Sequence, residues 1–429
     1  MESTQNQITT NTQKNSFGPI IIIGILFFIF GFITWANSSL IPYLKIACEL
    51  TTSQAILVTF AFYISYAFMA FPSAWVLKKT GYKNGMVVGL LVMALGALVF
   101  IPAASARSFD LFLFGLFVIG GGMALLQTAS NPYITILGPI ESAAKRISIM
   151  GVFNKAAGAL APIVLGAIIL KDSSALQARL ATMEAAAKTA ELELLASKVV
   201  MPYVSIAIAL ILLSIFIYKS SIPEIRAEGE DDQGPNTINR KSIFDYPYLW
   251  LGFITLFLYV GAEVLSGDII QIYGNSLGIP LDIAKYFTTY TMIGLLTGYI
   301  IGIFTIPKYL SQSTALKGSA VLGLIFSALA MFTDGYMSVL FIALLGLANA
   351  LIWPAIWPLA IEGLGKFTRT GSALLIVGIA GGAIIPRVWA ILGESIGLKS
   401  AFVILIPCYL FVLYFATYGH KIGKTVTSK

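Results

Sequence analysis

Apolar runs of the length needed to cross a bilayer, roughly 17–25 residues, recur along nearly the whole chain. They fall near Ile20–Pro42, Ala55–Leu77, Asn84–Pro102, Leu111–Leu137, Ile147–Leu170 and Val199–Tyr218, then near Tyr248–Tyr273, Ile283–Ile306, Leu316–Phe332, Ser338–Ile361, Gly371–Leu392 and Ala401–Tyr418. In hydrocarbon a backbone N–H or C=O finds no water, so each run must pair its own groups as a helix. The expectation is an all-α membrane protein of about twelve transmembrane helices in two pseudo-symmetric six-helix bundles. The charge content agrees: only 11% of residues are charged, where a wet surface usually needs about 25%.

Two polar stretches divide the runs. Residues 171–198 carry Leu176, Leu180 and Met183 at helical spacing, the pattern of one amphipathic helix lying outside the membrane. Residues 220–245 hold Glu228, Glu230, Asp231, Asp232, Gly234 and Pro235 with no apolar period, the pattern of a flexible linker. The expected organisation is a tail at 1–17, a bundle at 18–219, the linker at 220–245, a second bundle at 246–420 and a tail at 421–429. Met1 to Ser16 shows no cleavable signal pattern, so the first run is expected to stay as a helix.

The bundles repeat. Ala156-Ala157-Gly158-Ala159-Leu160-Ala161-Pro162 resembles Ala380-Gly381-Gly382-Ala383-Ile384-Ile385-Pro386, an offset of about 224 residues that also pairs Ser148 with Ser372. Parallel repeats of this kind are a common transporter plan. Lys78, Lys79, Lys83, Lys145, Lys308, Lys317 and Lys366 with Arg146 and Arg369 crowd alternate loops, which puts both termini and the linker in the cytoplasm. The net charge of +7 is scattered in this way and forms no basic stripe, so nucleic acid is not an expected partner. Cys48 and Cys408 have no metal spacing, and the lone His420 follows the last run at headgroup level. No metal or cofactor is expected, and no constellation for an enzyme is present.

A polar group deep in a span is costly unless it faces a cavity or a partner. Trp35, Asn37 and Ser38 cluster in the first run, Gln127 and Asn131 share one helix face, and Asn154 precedes Lys155 in the fifth. Glu263 sits in the seventh run, at the position matching Ser39 under the repeat offset. Trp353 and Trp357, four apart, are each followed by proline. Amide and carboxylate groups beside aromatic rings suit a neutral sugar, whose hydroxyls need partners and whose apolar face stacks. The bland readings stay open here: hydrogen bonding between helices for Gln127 and Asn131, packing for the tryptophans, and a structural partner in Lys155 or Arg387 for Glu263. Asp268, nearer the outer mouth, is read as a rim charge.

Leu126-Gln127-Thr128-Ala129-Ser130-Asn131-Pro132-Tyr133, Tyr259 to Glu263 and Trp353 to Gly382 carry a resemblance. In them the chain resembles the fucose–proton symporter family of the major facilitator superfamily, in its branch of bacterial glucose/galactose transporters. Lys78-Lys79-Thr80-Gly81-Tyr82-Lys83 is similar to that superfamily's basic loop. The resemblance implies alternating access, a cavity lined mainly by spans one, four, seven and ten, a hexose-like cargo, a proton gradient and a bacterial inner membrane. It places the family's first-span aspartate on Ser38 and its fourth-span glutamate on Gln127, neither of which titrates. The family's fifth-span asparagine is Asn154, and a nearby glutamine falls on Gly151. Glu263 is therefore the candidate coupling group, with uncoupled or sodium-coupled transport of a sugar or amino sugar as alternatives. The architecture is expected to work as a monomer in the lipid bilayer.

Overall fold

A computed structural model describes residues 17–136, 143–220, 240–306 and 308–424. Residues 1–16 of the first expected tail, 425–429 of the second and 221–239 of the linker expected at 220–245 lie outside the described residues. Every regular element among those described is helical. Among the described residues eleven stretches are long and apolar enough to cross a membrane, and one of them, Thr52–Ser105, is 54 residues long. At ~1.5 Å per residue that length crosses the ~30 Å hydrocarbon layer more than twice. It breaks at Gly81, whose φ of 77° and ψ of 177° no continuing helix adopts. Leu77 and Gly85 meet across the break. The stretch is thus the second and third spans, and the count is twelve.

The first span is one helix, Phe17–Ala47; the fourth and fifth are Phe109–Ile136 and Ala143–Ile169, and the sixth is Val200–Lys219. The second half is less regular. The seventh span is Pro247–Gly267 followed by Ile270–Ser276, and the tenth is Gly335–Asn349 followed by Ile352–Ile361. The eleventh runs from Thr368–Val377 through a 3-10 turn, Gly378–Ala380, into Gly381–Ile396. The eighth, ninth and twelfth are Phe287–Thr305, Gln312–Phe332 and Leu405–Thr417. The outside of the molecule carries Phe68, Phe71, Trp75, Phe304 and Phe332, all more than half exposed. Such a surface is stable only against lipid.

The single amphipathic helix expected at 171–198 is two helices, Ser173–Leu180 and Ala185–Ser197. Met183 falls in the break, and the buried contacts come from Leu176, Leu180, Leu192 and Leu195. Tyr43 in the first span fastens this cap, its hydroxyl 2.6 Å from the Leu195 carbonyl oxygen. His420 is buried, with Nδ1 2.8 Å from the Phe415 carbonyl oxygen.

Candidate functional site

We call the face where the first span begins the terminal face, and the opposite one the distal face. A cavity of about 110 Å³ lies between the halves. By the same measure one water needs roughly 10–15 Å³, so there is room for a small solute or several waters. Phe27, Phe30, Thr34 and Trp35 line it from the first span, and Ile147, Gly151, Asn154 and Lys155 from the fifth. These positions lie in the terminal-face part of each helix up to mid-membrane.

On the distal side the halves are joined. Arg387 Nη1 donates to the Ser53 carbonyl oxygen at 2.7 Å and to its hydroxyl at 2.5 Å. The Ser174 N–H donates to Asp282 at 3.1 Å, and Lys285 Nζ to the Leu170 carbonyl oxygen at 3.2 Å. The cavity therefore stops short of the distal face.

Among the described residues one ion pair crosses between the halves, and it lies inside the cavity. Lys155 Nζ lies 2.5 Å from Glu263 Oε1, with the two side chains 10% and 9% exposed. Lys155 Nζ also lies 4.7 Å from the centre of the Trp35 ring. That ring is clamped: a Cβ at Gly158 would come within 2.4 Å of it, and one at Gly267 within 2.1 Å. Only hydrogen at both positions lets the fifth and seventh spans close on the indole.

Opposite the pair, Gln127 donates through Nε2 to the Tyr66 hydroxyl at 3.2 Å, and Asn131 lines the wall one turn away. Asn154 donates to the Phe27 carbonyl oxygen at 3.3 Å, so it also ties the fifth span to the first. Trp353 lines the cavity and stacks on Trp357, ring centres 5.7 Å apart and planes 24° from parallel.

The structure thus brings Trp35, Gln127, Asn131, Asn154, Lys155, Glu263 and Trp353 to one cavity. Other expected positions lie elsewhere. Asn37 and Ser38 are buried beyond the cavity's distal end, with the Ser38 hydroxyl donating to the Trp35 carbonyl oxygen at 2.7 Å. Trp357 supports Trp353 and does not line the wall. Arg387 is no partner of Glu263; its guanidinium is spent on Ser53. Asp268 is not a rim charge, for it has no exposed surface at all. The sequence reading missed Tyr63, Tyr66, Tyr259 and Tyr299, all on the wall. Tyr63 and Tyr66 are three apart in an apolar run, and that spacing was the available signal. Gly151 leaves space that the Tyr299 ring fills, since a Cβ there would lie 2.5 Å from it.

Comparison with known proteins agrees with this fold. Residues 23–384 match the family model of the Major Facilitator Superfamily. A glucose/galactose transporter of Brucella abortus is 34% identical over 415 residues, covering 96% of each chain. The L-fucose-proton symporter of Escherichia coli K12 is 28% identical over 407 residues, covering 93% of this chain and 92% of its own. Crystal structures of the E. coli fucose:proton symporter FucP, one in the outward conformation, superpose with a TM-score of 0.75 at 26% identity. They cover 94% of this chain and 99% of FucP. The chain is a multi-pass membrane transporter of the Major Facilitator Superfamily, in the family that holds the glucose/galactose transporters and L-fucose-proton symporters.

Proposed function

We propose that the protein imports a neutral hexose or hexose derivative by alternating access, with a proton as the coupling ion and Glu263 as its carrier. The observation that carries this reading is the Lys155–Glu263 pair, set between the halves beside an amide and aromatic wall. Its charges cancel, so the cavity favours an uncharged solute over an ion. Gln127, Asn131 and Asn154 supply donors and acceptors for hydroxyls, and Trp35 and Trp353 supply apolar faces for a sugar ring. The names of the relatives point to the same cargo class.

The pair joins the fifth span to the seventh, so rocking of the halves must stretch it. A carboxylate and an ammonium in a low-dielectric site attract strongly, and separating them unprotonated leaves two buried charges. A proton on Glu263 removes one of those charges and frees Lys155 to turn toward Trp35 or a sugar hydroxyl. Ser38 and Gln127 hold no proton, which leaves the coupling to carboxylates elsewhere. With the basic loops cytoplasmic, the terminal face is the inner one and this structure is inward-facing. The family resemblance supports a bacterial inner membrane and a monomeric state.

The test is uptake of a radiolabelled hexose panel into proteoliposomes at zero sodium, with and without an inward proton gradient. Concentrative uptake that Glu263→Gln abolishes, while counterflow persists, is the expected result. Undiminished accumulation by Glu263→Gln would remove Glu263 from the coupling, and no uptake of any hexose would remove the cargo.

A further inference from the structure

Five residues beyond Glu263, about 7.5 Å further along a helix, the seventh span breaks at Asp268. Its N–H still donates to the Val264 carbonyl oxygen at 2.8 Å, and helix resumes only at Ile270. The carboxyl has no exposed surface. Oδ2 receives one long contact from the Tyr63 hydroxyl at 3.5 Å, and Oδ1 has no partner. Three residues on, the fully buried Gln271 gives its amide N–H to the Thr288 hydroxyl at 3.1 Å, while its Oε1 also lacks a partner. Two buried acceptor oxygens therefore sit one turn apart with no donor for either.

The charged and titratable groups that act on Asp268 are Tyr63 on the second span, Glu263 on its own helix and Lys155 on the fifth. Lys155 is already committed to Glu263 at 2.5 Å, and Arg387 to Ser53 at 2.7 Å. An unpaired carboxylate in such a place is costly. A proton removes the charge and makes one oxygen a donor.

Position gives that proton a task. Tyr63 belongs to the first half and Asp268 to the second, so their contact lies on the seam that parts when the distal face opens. Glu263 faces the terminal-face cavity, and Asp268 lies on the closed, distal side of it. We propose that Asp268 is a second proton-binding carboxyl of the transport cycle, loaded from the distal face and carrying its proton until that face has closed. With the distal side open, a hydronium ion there gives its proton to the Asp268 carboxylate: one O–H bond breaks, one forms on Asp268, and water is left. After closure the bond on Asp268 breaks as the proton passes to the Glu263 carboxylate, which lets go of Lys155, and the proton then leaves to water at the terminal face. One proton enters and one leaves per cycle, and no other reactant is needed. The assignment rests on the proton-coupled reading above and names where on the path the proton waits.

The experiment uses the full chain in proteoliposomes with whichever hexose the panel identifies. It reads sugar-driven proton uptake, concentrative accumulation and counterflow for wild type, Asp268→Asn and Asp268→Glu. Asp268→Asn, fixed in the uncharged form, is expected to exchange sugar by counterflow while proton uptake disappears and accumulation falls to equilibrium. Asp268→Glu keeps a carboxyl and is expected to retain proton uptake with a displaced pH profile, which a merely structural residue would not produce. Proton uptake and accumulation by Asp268→Asn at wild-type levels would overturn the proposal and leave Glu263 coupling standing. An unmoved pH profile in Asp268→Glu would also overturn it. Wild-type accumulation driven by sodium and indifferent to the proton gradient would overturn both the ion and the site.

Discussion

Lys155→Met is the most informative single change at the cavity, because the structure fixes what it leaves behind. Methionine keeps most of the lysine's volume and reach, so the packing loss is small. What goes is the ammonium 2.5 Å from Glu263 Oε1 and 4.7 Å from the Trp35 ring centre. With side chains only 10% and 9% exposed, the pair belongs with buried ones; exposed pairs contribute only about 0–1 kcal/mol. Removing one member of a buried pair costs about 3–5 kcal/mol, since the other charge stays behind unpaired. The cation–π contact on Trp35 adds about 0.5–2 kcal/mol. Removing both charges, in Lys155→Met with Glu263→Gln, leaves no unpaired charge and only the lost cation–π contact. Swapping a buried pair for uncharged groups is often neutral or stabilising. The double variant should therefore melt above Lys155→Met and close to wild type. Melting curves of the four proteins in one detergent make the comparison, with accumulation assays in parallel; all three variants should lose accumulation. A Lys155→Met protein melting with wild type, or a double variant whose loss equals the sum of the single losses, would refute the pair as a buried inter-half contact.

Two other changes probe the supports of the site. Gly267→Ala puts a methyl group 2.1 Å from the Trp35 ring and should cost about 1–3 kcal/mol by overpacking; Trp35→Leu in the same chain should restore most of the melting temperature, and no rescue would show that the clamp is not the cause. Arg387→Ala removes both hydrogen bonds to Ser53 and should lengthen the distance between spin labels on the exposed distal residues Ser105 and Glu394, whereas an unchanged distribution would mean that Arg387 does not hold the distal face shut.

The spans were readable because lipid permits so few solutions. A run of about twenty apolar residues has to be helix, and the run count brought the fold with it. Buried polar groups such as Gln127, Asn131, Asn154 and Glu263 stood out for the same reason, each being costly in hydrocarbon. The first span shows where this reading ends. Phe27, Phe30 and Thr34 follow one helical stripe into the cavity, and the stripe continues to Ser38. Ser38 is nonetheless sealed, because the halves meet distally and end the cavity at Trp35. Sequence marks a face of the helix, but the conformational state decides how much of that face is wet. The partner of Glu263 was hidden for a similar reason. Lys155 and Arg387 were equal candidates on paper, and only the folded chain, which sets Lys155 on Glu263 and Arg387 on Ser53, separates them. Asp268 looked like a rim charge because it stands near a run's end, whereas the helix break folds it into the seam.

That break has counterparts, and together they say which half bends. In the second half the seventh span is interrupted at Asp268–Ile269, the tenth at Ala350–Leu351 and the eleventh at Gly378–Ala380. The positions about 224 residues earlier, near Leu44, Leu126 and Lys155, lie within the unbroken helices Phe17–Ala47, Phe109–Ile136 and Ala143–Ile169. The sequence repeat is thus not matched by equal helix geometry. A broken helix leaves backbone groups free of the i→i−4 ladder and gives a place where dihedral angles change at low cost. All three breaks flank the cavity, next to Glu263, Trp353 and Ile379. The first half therefore presents Gln127, Asn131 and Asn154 on unbroken helices as a fixed wall. The second half carries the candidate proton-binding carboxyls and the tryptophan stack on segments that can tilt. Under the proposed coupling, protonation of Glu263 loosens its ion pair with Lys155, which ties the broken seventh span to the unbroken fifth, so a local charge change is placed where it can release a motion of half the molecule.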